Sequence, residues 1–344
     1  MKKTSAEPPP VSHQATRVLL ALGGVLGAGL LVAASLGAVT IPLSSLLSGA
    51  LSEQQTDVLV AIRLPRLVLA CLVGAALAVS GAAMQGLFRN PLADPGLIGI
   101  ASGAALAVAL VIVLVGPMAG LLGLYSVSLA AFGGSLATCF LIAWFAQRTG
   151  VFSVAYLLLA GIAVNALAVA GTGFLIFISD EQQLRTLTFW TLGSLGGALW
   201  PAVLVAASII VPIAALMLRD ARALNILLLG EEDARYLGVD SRRLQRRVIV
   251  CTALAVGAAV AVSGIIGFVG LVVPHLVRLT IGPDHRLLMP ASIFLGAVLL
   301  LAADTVARLA AAPAEIPVGI LTSLIGGPFF LWLLVKQYGG KFSL

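Results

Sequence analysis

Charge is what this chain has least of. Lys, Arg, Asp and Glu together make up 10% of its 344 residues, where a soluble globular domain carries roughly 25%. Hydrophobic residues make up 60%, and the mean hydropathy is +1.11. A chain so poor in polar surface cannot cover itself in water, which excludes a soluble globular fold and leaves lipid as the solvent. Alternating ten-residue segments are also missing. The apolar runs are long and unbroken, so the spanning elements are helices and not the strands of a barrel. Cysteine is scarce: Cys71, Cys139 and Cys251 each lie inside an apolar run, which points to core positions and to no disulfide or metal site. No G-x-x-x-x-G-K-[ST] or H-E-x-x-H pattern occurs, so neither a phosphate loop nor that zinc site is expected here.

Ten apolar runs are present, at about 17–38, 64–87, 96–115, 121–146, 151–178, 200–218, 247–265, 267–282, 288–306 and 316–335. Each approaches the ~20 residues needed to cross the hydrocarbon. Residues 1–16 are polar and contain Pro8-Pro9-Pro10; they read as a disordered tail and lack the pattern of a secretory signal. A single membrane domain is expected over 17–336, with a second tail at 337–344. The stretch 184–195 is amphipathic and too short to span, and reads as a half-helix. Gly74, Ala78 and Ala82 recur every four residues, as do Gly257 and Ala261. Such small-residue stripes let helix backbones approach closely.

The net charge of +6 reads as topology and not as nucleic-acid binding. With ten spans and a cytoplasmic N-terminus, the inside segments hold Lys2, Lys3, Arg17, Arg89, Arg148, Arg219, Arg222, Arg235, Arg242, Arg243, Arg246, Arg247, Arg278, Arg286, Lys336 and Lys341. Those are 16 of the 20 basic residues, so the positive-inside rule places both termini in the cytoplasm. Arg63, Arg66, Arg185 and Arg308 remain outside, where cations are disfavoured. Asp304 precedes Arg308 by four residues, a helical neighbour distance. Local pairing and an external docking surface for an acidic partner are therefore both open readings of these arginines.

The longest inside loop contains a candidate docking element at 222–240. Gly230 can end one short helix, and Glu231, Glu232 and Asp233 then fill the first turn of the next, where the helix dipole favours acids. Gly238 can end that one. Two short helices lying on the inner face are expected, either resting on headgroups or docking a cytoplasmic partner. The acids favour the partner, because anionic lipid would repel them. Asp57, Asp94, Asp180, Asp284, Asp304 and Glu315 all fall at or near span ends, so no buried acid is expected to relay protons or sodium ions. His275, beside Pro274, reads as a packed core histidine and not as a haem ligand.

Six separated motifs, in order over roughly residues 60–336, carry a family resemblance. They are Arg63-Leu64-Pro65-Arg66; Gly81-Ala82-Ala83-Met84-Gln85 with Arg89-Asn90-Pro91-Leu92-Ala93-Asp94-Pro95 and Gly99; Leu229-Gly230 through Ala234-Arg235 and Leu237-Gly238; Gly267-Phe268-Val269-Gly270-Leu271-Val272-Val273-Pro274-His275 with Asp284-His285-Arg286; Ala303-Asp304-Thr305-Val306-Ala307-Arg308; and Glu315-Ile316-Pro317-Val318-Gly319. Together they resemble the FecCD-type permease subunits of type II ABC importers for iron-siderophores, haem and cobalamin. The resemblance implies an all-α polytopic fold of about ten transmembrane helices per subunit, working as a homodimer in the bacterial inner membrane. It implies two ATP-binding subunits on the cytoplasmic face, which would hold ATP and Mg²⁺ and leave this chain without cofactor or enzymatic activity of its own. A periplasmic binding protein would deliver the substrate. Arg63, Arg66 and Arg308 match the family's outer arginines, which pair with that protein. Leu229, Gly230, Glu231, Glu232, Ala234, Arg235, Leu237 and Gly238 match the element contacting the ATPase.

Asn90 matches a position near the cytoplasmic gate, although Arg-Asn-Pro equally suits a turn. Trp190, in the amphipathic stretch, matches the family's short outer half-helix near the substrate entrance. The stretches Leu187 to Gly197 and Ala312 to Pro317 look closest to haem permeases; siderophore permeases share much of both, and cobalamin ranks third. An ion-coupled secondary transporter is the rival of a different class.

Overall fold

The computed structural model describes residues 13–117, 119–148, 154–311 and 314–338. Every element among them is helical. In chain order they are α1 (His13–Ser35), α2 (Leu43–Ser48), α3 (Glu53–Asp57), α4 (Leu64–Leu87), α5 (Ile100–Leu110), α6 (Gly120–Arg148), α7 (Val154–Ile178), α8 (Glu181–Thr191), α9 (Trp200–Arg219), α10 (Ala221–Leu227), α11 (Glu231–Tyr236), α12 (Ser241–Ser263), α13 (Val269–Ile281), α14 (His285–Ala310) and α15 (Val318–Tyr338). A π-helical stretch, Val58–Arg63, joins α3 to α4, so one continuous helix runs from Glu53 to Leu87. A second π-helical stretch, Val111–Val115, extends α5.

Among the described residues, seven helical segments are long and apolar enough to cross a membrane, and three shorter apolar ones accompany them, at Ile100–Val115, Val269–Ile281 and Val318–Leu333. The ten coincide with the ten runs of the sequence. Helix α1 begins at His13, inside the segment expected as a tail, and α15 reaches Tyr338. Residues 1–12, 118, 149–153, 312–313 and 339–344, with Ala312 and Pro313 of the haem-permease-like run among them, lie outside the described residues.

Local chemistry sets the starts of several helices. Ser52 and Gln55 form a reciprocal capping box at α3, and Asp180 and Gln183 form another at α8, each satisfying two otherwise orphaned amides. Asp240 and Asp284 cap α12 and α14. Gly230, at φ +125°, and Gly238, at φ +82°, flank α11 as the sequence suggests, in backbone conformations that a side chain would strain.

Helix α4 is the centre of the bundle. Its membrane window is 78% buried, against 11% for α1, and it packs against α14, α12, α13 and α9. The small-residue stripe makes this possible. A Cβ on Gly74 would stand 2.2 Å from the carbonyl oxygen of Gly296 in α14, and one on Gly81 only 1.8 Å from that of Gly270 in α13. With no water-driven attraction between helices in lipid, close backbone contact supplies the packing energy. Gly257 of α12 instead faces side chains, those of Phe132 and Ser135 in α6. Cys71, Cys139 and Cys251 are free thiols within helices.

Candidate functional site

Three clusters of polar or strained residues interrupt the apolar bundle: one at each end of the antiparallel α4–α14 pair, and one around the end of α8.

At the first end, Arg63, Arg66 and Arg308 meet Asp304 and Glu315. Arg66 is 7% exposed. Its Nη2 stands 2.9 Å from Asp304, and its Nη1 donates to both oxygens of Glu315 at 2.9 Å. Arg308 Nε lies 3.3 Å from Asp304, and its Nη1 and Nη2 reach the carbonyls of Leu36 and Ala33. Arg63 donates to the carbonyls of Ala34, at 2.6 Å, and of Ser35 and Val39. The carbonyls of Ala33 to Leu36 belong to the last turn of α1 and the residue after it, where four backbone acceptors lack helical partners and the dipole is negative. Two arginines therefore sit where a helix C-terminus needs cations. That is a physical reason for positive charge at this end of the bundle.

Of the two readings left open for these arginines, local pairing is observed: Arg63 and Arg66 are buried and internally bonded, and Arg308 pairs with Asp304 as its helical spacing suggested. The expected absence of buried acids fails at Asp304, which is fully buried. That carboxylate lies between two arginines and serves as their counter-charge.

The opposite end carries the candidate docking element. Helices α10 and α11 form as expected, with Glu231, Glu232 and Asp233 in the first turn of α11 and Arg235 in its last. Leu229, Tyr236 and Leu237 are exposed, Tyr236 by 90%, while Ala234 is fully buried and anchors α11 from beneath. Glu231, Glu232, Arg235 and Gly238 border a groove of about 770 Å³ shared with the start of α12. Exposed apolar side chains rimmed by both signs of charge have the composition of a protein-binding surface.

The element is firmly tied down. Glu231 accepts from Gln245 at 3.0 Å, Arg247 pairs with Asp220 at the start of α10, and Asn225 bonds to Asp284 and His285. Hydrogen bonds from Arg286 hold the Asp284 carboxyl down, to about 2, against the upward push of burial. Nearby, Asn90 Oδ1 accepts from the Leu92 amide at 2.9 Å, the local turn that Asn-Pro favours. The ties through Asn225 and His285, and the bond from Arg278 to Gln85 at 3.0 Å, escape sequence reasoning. Of their residues, only Gln85 and His285 fall within the motifs.

The third cluster surrounds the end of α8. Trp190 is half-buried, and its carbonyl abuts Gly264, where a Cβ would stand 2.2 Å away. Beyond it, Thr191, Leu192, Ile265, Gly267, Gly319 and Ser323 line a cavity of about 500 Å³. Phe268 adjoins it in a left-handed conformation, φ 66°, a strain of about 1–3 kcal/mol, and packs against Gly326 of α15. His275 is buried against Phe329 at 6.2 Å between ring centroids; it is packed, as expected, yet neither ring nitrogen has a hydrogen-bond partner. Among the described residues no group of His, Cys, Asp or Glu is arranged to hold a metal ion.

An apolar ten-helix bundle, closed by a charge cluster at one end and by a docked helix pair at the other, defines a multi-pass membrane permease. Residues 25–336 match the FecCD transport family, and the chain belongs to that family. It is 53% identical over 320 residues to the hemin transport system permease protein HmuU of Yersinia pestis, covering 93% of each chain. It is 46% identical to the cobalamin import system permease protein BtuC of Halobacterium salinarum, over 86% of this chain and 78% of that one. The fold matches that of an inward-facing metal-chelate type ABC transporter with a TM-score of 0.85 at 34% identity, covering 93% of this chain and 99% of the other. The type II importer architecture implied by the six motifs is thus the architecture of the molecule.

Proposed function

We propose that this chain is the membrane subunit of an ATP-driven importer that carries haem across the bacterial inner membrane into the cytoplasm. Two copies form the path between them. Two separate subunits bind ATP with Mg²⁺ and dock on the surface formed by Leu229 to Gly238, which faces the cytoplasm with both termini. A periplasmic binding protein docks at the opposite end, and lipid surrounds the rest. Asn90 stands at the cytoplasmic gate and Trp190 at the substrate entrance. The observation that carries haem over cobalamin is the 53% identity, along 93% of both chains, to a hemin permease, against 46% to the cobalamin permease.

The test is uptake by vesicles holding this chain and its ATPase partner. Haem uptake is expected to require ATP, and an ion gradient alone should drive none. Uptake powered by a gradient without the ATPase would overturn the ATP-driven reading, and preferential uptake of a ferric siderophore or cobalamin would reassign the substrate.

Docking at the arginine end follows an exchange in this reading. An acid of the binding protein takes over the Arg66 bonds now made by Glu315, whose side chain is 45% exposed. Glu315→Gln, which weakens the internal competitor, is expected to tighten binding-protein affinity about two- to fivefold, within the ~1 kcal/mol of an exposed ion pair. Arg308→Ala is expected to weaken it. Equal affinities for both variants and the parent, measured by titration, would remove the docking role.

A further inference from the structure

Asn225 of α10 is hydrogen-bonded to the start of α14. Its Nδ2 donates to Asp284 at 2.6 Å. That fixes the orientation of the amide, because a carboxylate can only accept. The Oδ1 must then be the acceptor in both remaining contacts, from the His285 amide at 2.9 Å and from His285 Nδ1 at 2.8 Å. His285 therefore carries its proton on Nδ1, and its other face turns to α4. A Cβ on Gly86 would stand 2.4 Å from His285 Nε2, so the ring rests directly on the α4 backbone.

The next residue continues the chain of contacts. Gln85 is buried; its amide donates to the Leu271 carbonyl at 3.3 Å and its Oε1 accepts from Arg278. One side chain of α10 thus engages α14, through His285 the end of α4, and through Gln85 the helix α13. Both α13 and α14 pack against α4.

We propose that Asn225 and His285 form a mechanical joint, through which displacement of α10 moves the adjoining ends of α4, α13 and α14 together. Asn225 is in this sense a positioning residue for transport: it touches neither substrate nor nucleotide. A surface helix held only by apolar contact could slide over the bundle, whereas an amide with three directed bonds transmits displacement in every direction. The proposal rests on the reading of 222–240 as the ATPase-contacting element, and the experiment separates the two.

The measurement is haem moved per ATP hydrolysed by the complete importer in vesicles. Asn225→Ala is expected to lower this ratio at least about fivefold, the lower range of coupling between sites. His285→Asn places a donor where Nδ1 was and is expected to hold the ratio within about twofold; His285→Gln, whose amide falls at the Nε2 place, should behave as Asn225→Ala. A Glu231→Ala, Arg235→Ala double variant reports on the contact surface itself. If it lowers the ratio while Asn225→Ala does not, the joint is wrong and the surface reading stands. If neither lowers it, both fall.

Because some variants could fail to assemble, a second measurement uses the intact joint. Spin labels at Arg222→Cys and Arg89→Cys, both exposed, in a background without the native cysteines, report the separation of α10 from the end of α4. It is expected to stay within about 2 Å through the nucleotide cycle, and a change beyond about 5 Å, a full helical turn, would overturn the joint.

Discussion

Replacing Asp304 with alanine is expected to destabilise the protein by about 3–5 kcal/mol, the effect of removing one partner from a buried ion pair. The carboxylate is fully buried and stands within 3.3 Å of both Arg66 and Arg308. Without it Arg66 keeps only Glu315 as a counter-charge, and Arg308 only two carbonyls at 3.4 Å. Two cations would remain where water cannot solvate them, and desolvation of the abandoned charge dominates the loss. Glu315→Ala removes a pair of similar length but half in solvent, and should cost no more than about 1 kcal/mol. Denaturant titration in mixed micelles compares the two directly. Equal losses would mean that Asp304 is not the buried counter-charge described here.

Gly81→Ala is the second large expected effect. The added methyl would lie 1.8 Å from the Gly270 carbonyl oxygen and 2.7 Å from its Cα, and backbone atoms cannot rotate away. Helices α4 and α13 must separate by about 1.5 Å to reach van der Waals contact. Overpacking of this kind costs about 1–3 kcal/mol. The separation also pulls Gln85 from the Leu271 carbonyl, so transport should fall more steeply than stability. Gly133→Ala is the matched control: nothing lies within 4 Å of its Cβ position, and it should change stability by less than about 1 kcal/mol. Similar melting and uptake for the two variants would contradict the close α4–α13 contact.

Much of this architecture was legible in the sequence, because lipid forces each span to announce itself as an unbroken apolar run. The α4 run, 64–87, coincides with the helix. Hydropathy could not see that the helix begins at Glu53, since Glu53, Gln54 and Gln55 are polar yet held by the Ser52 cap. The helix pair α10–α11 was legible through Gly230, Gly238 and the acids between them, all features of local backbone chemistry. Asp304 was misjudged because its position near a span end suggests solvent, whereas its burial depends on Arg66, 238 residues away. Likewise Asn225 and His285 are 60 residues apart, and no local pattern announces a bond between them.

The two ends of α14 set a rule for how the bundle can change shape. Asp304 and Arg308 are fastened to α4 and α1 at one end, Asp284 and His285 to α10 at the other, with the Gly74–Gly296 contact between. A piston stroke of α14 past α4 by a single residue, about 1.5 Å, would break bonds at both ends and drive the two glycine backbones into neighbouring side chains. Tilting the pair as one lever leaves the Arg66–Asp304 bonds and the glycine contact whole. Helices α4 and α14 therefore form one beam, and any tilt of it carries the attached ends of α1 and α10 along.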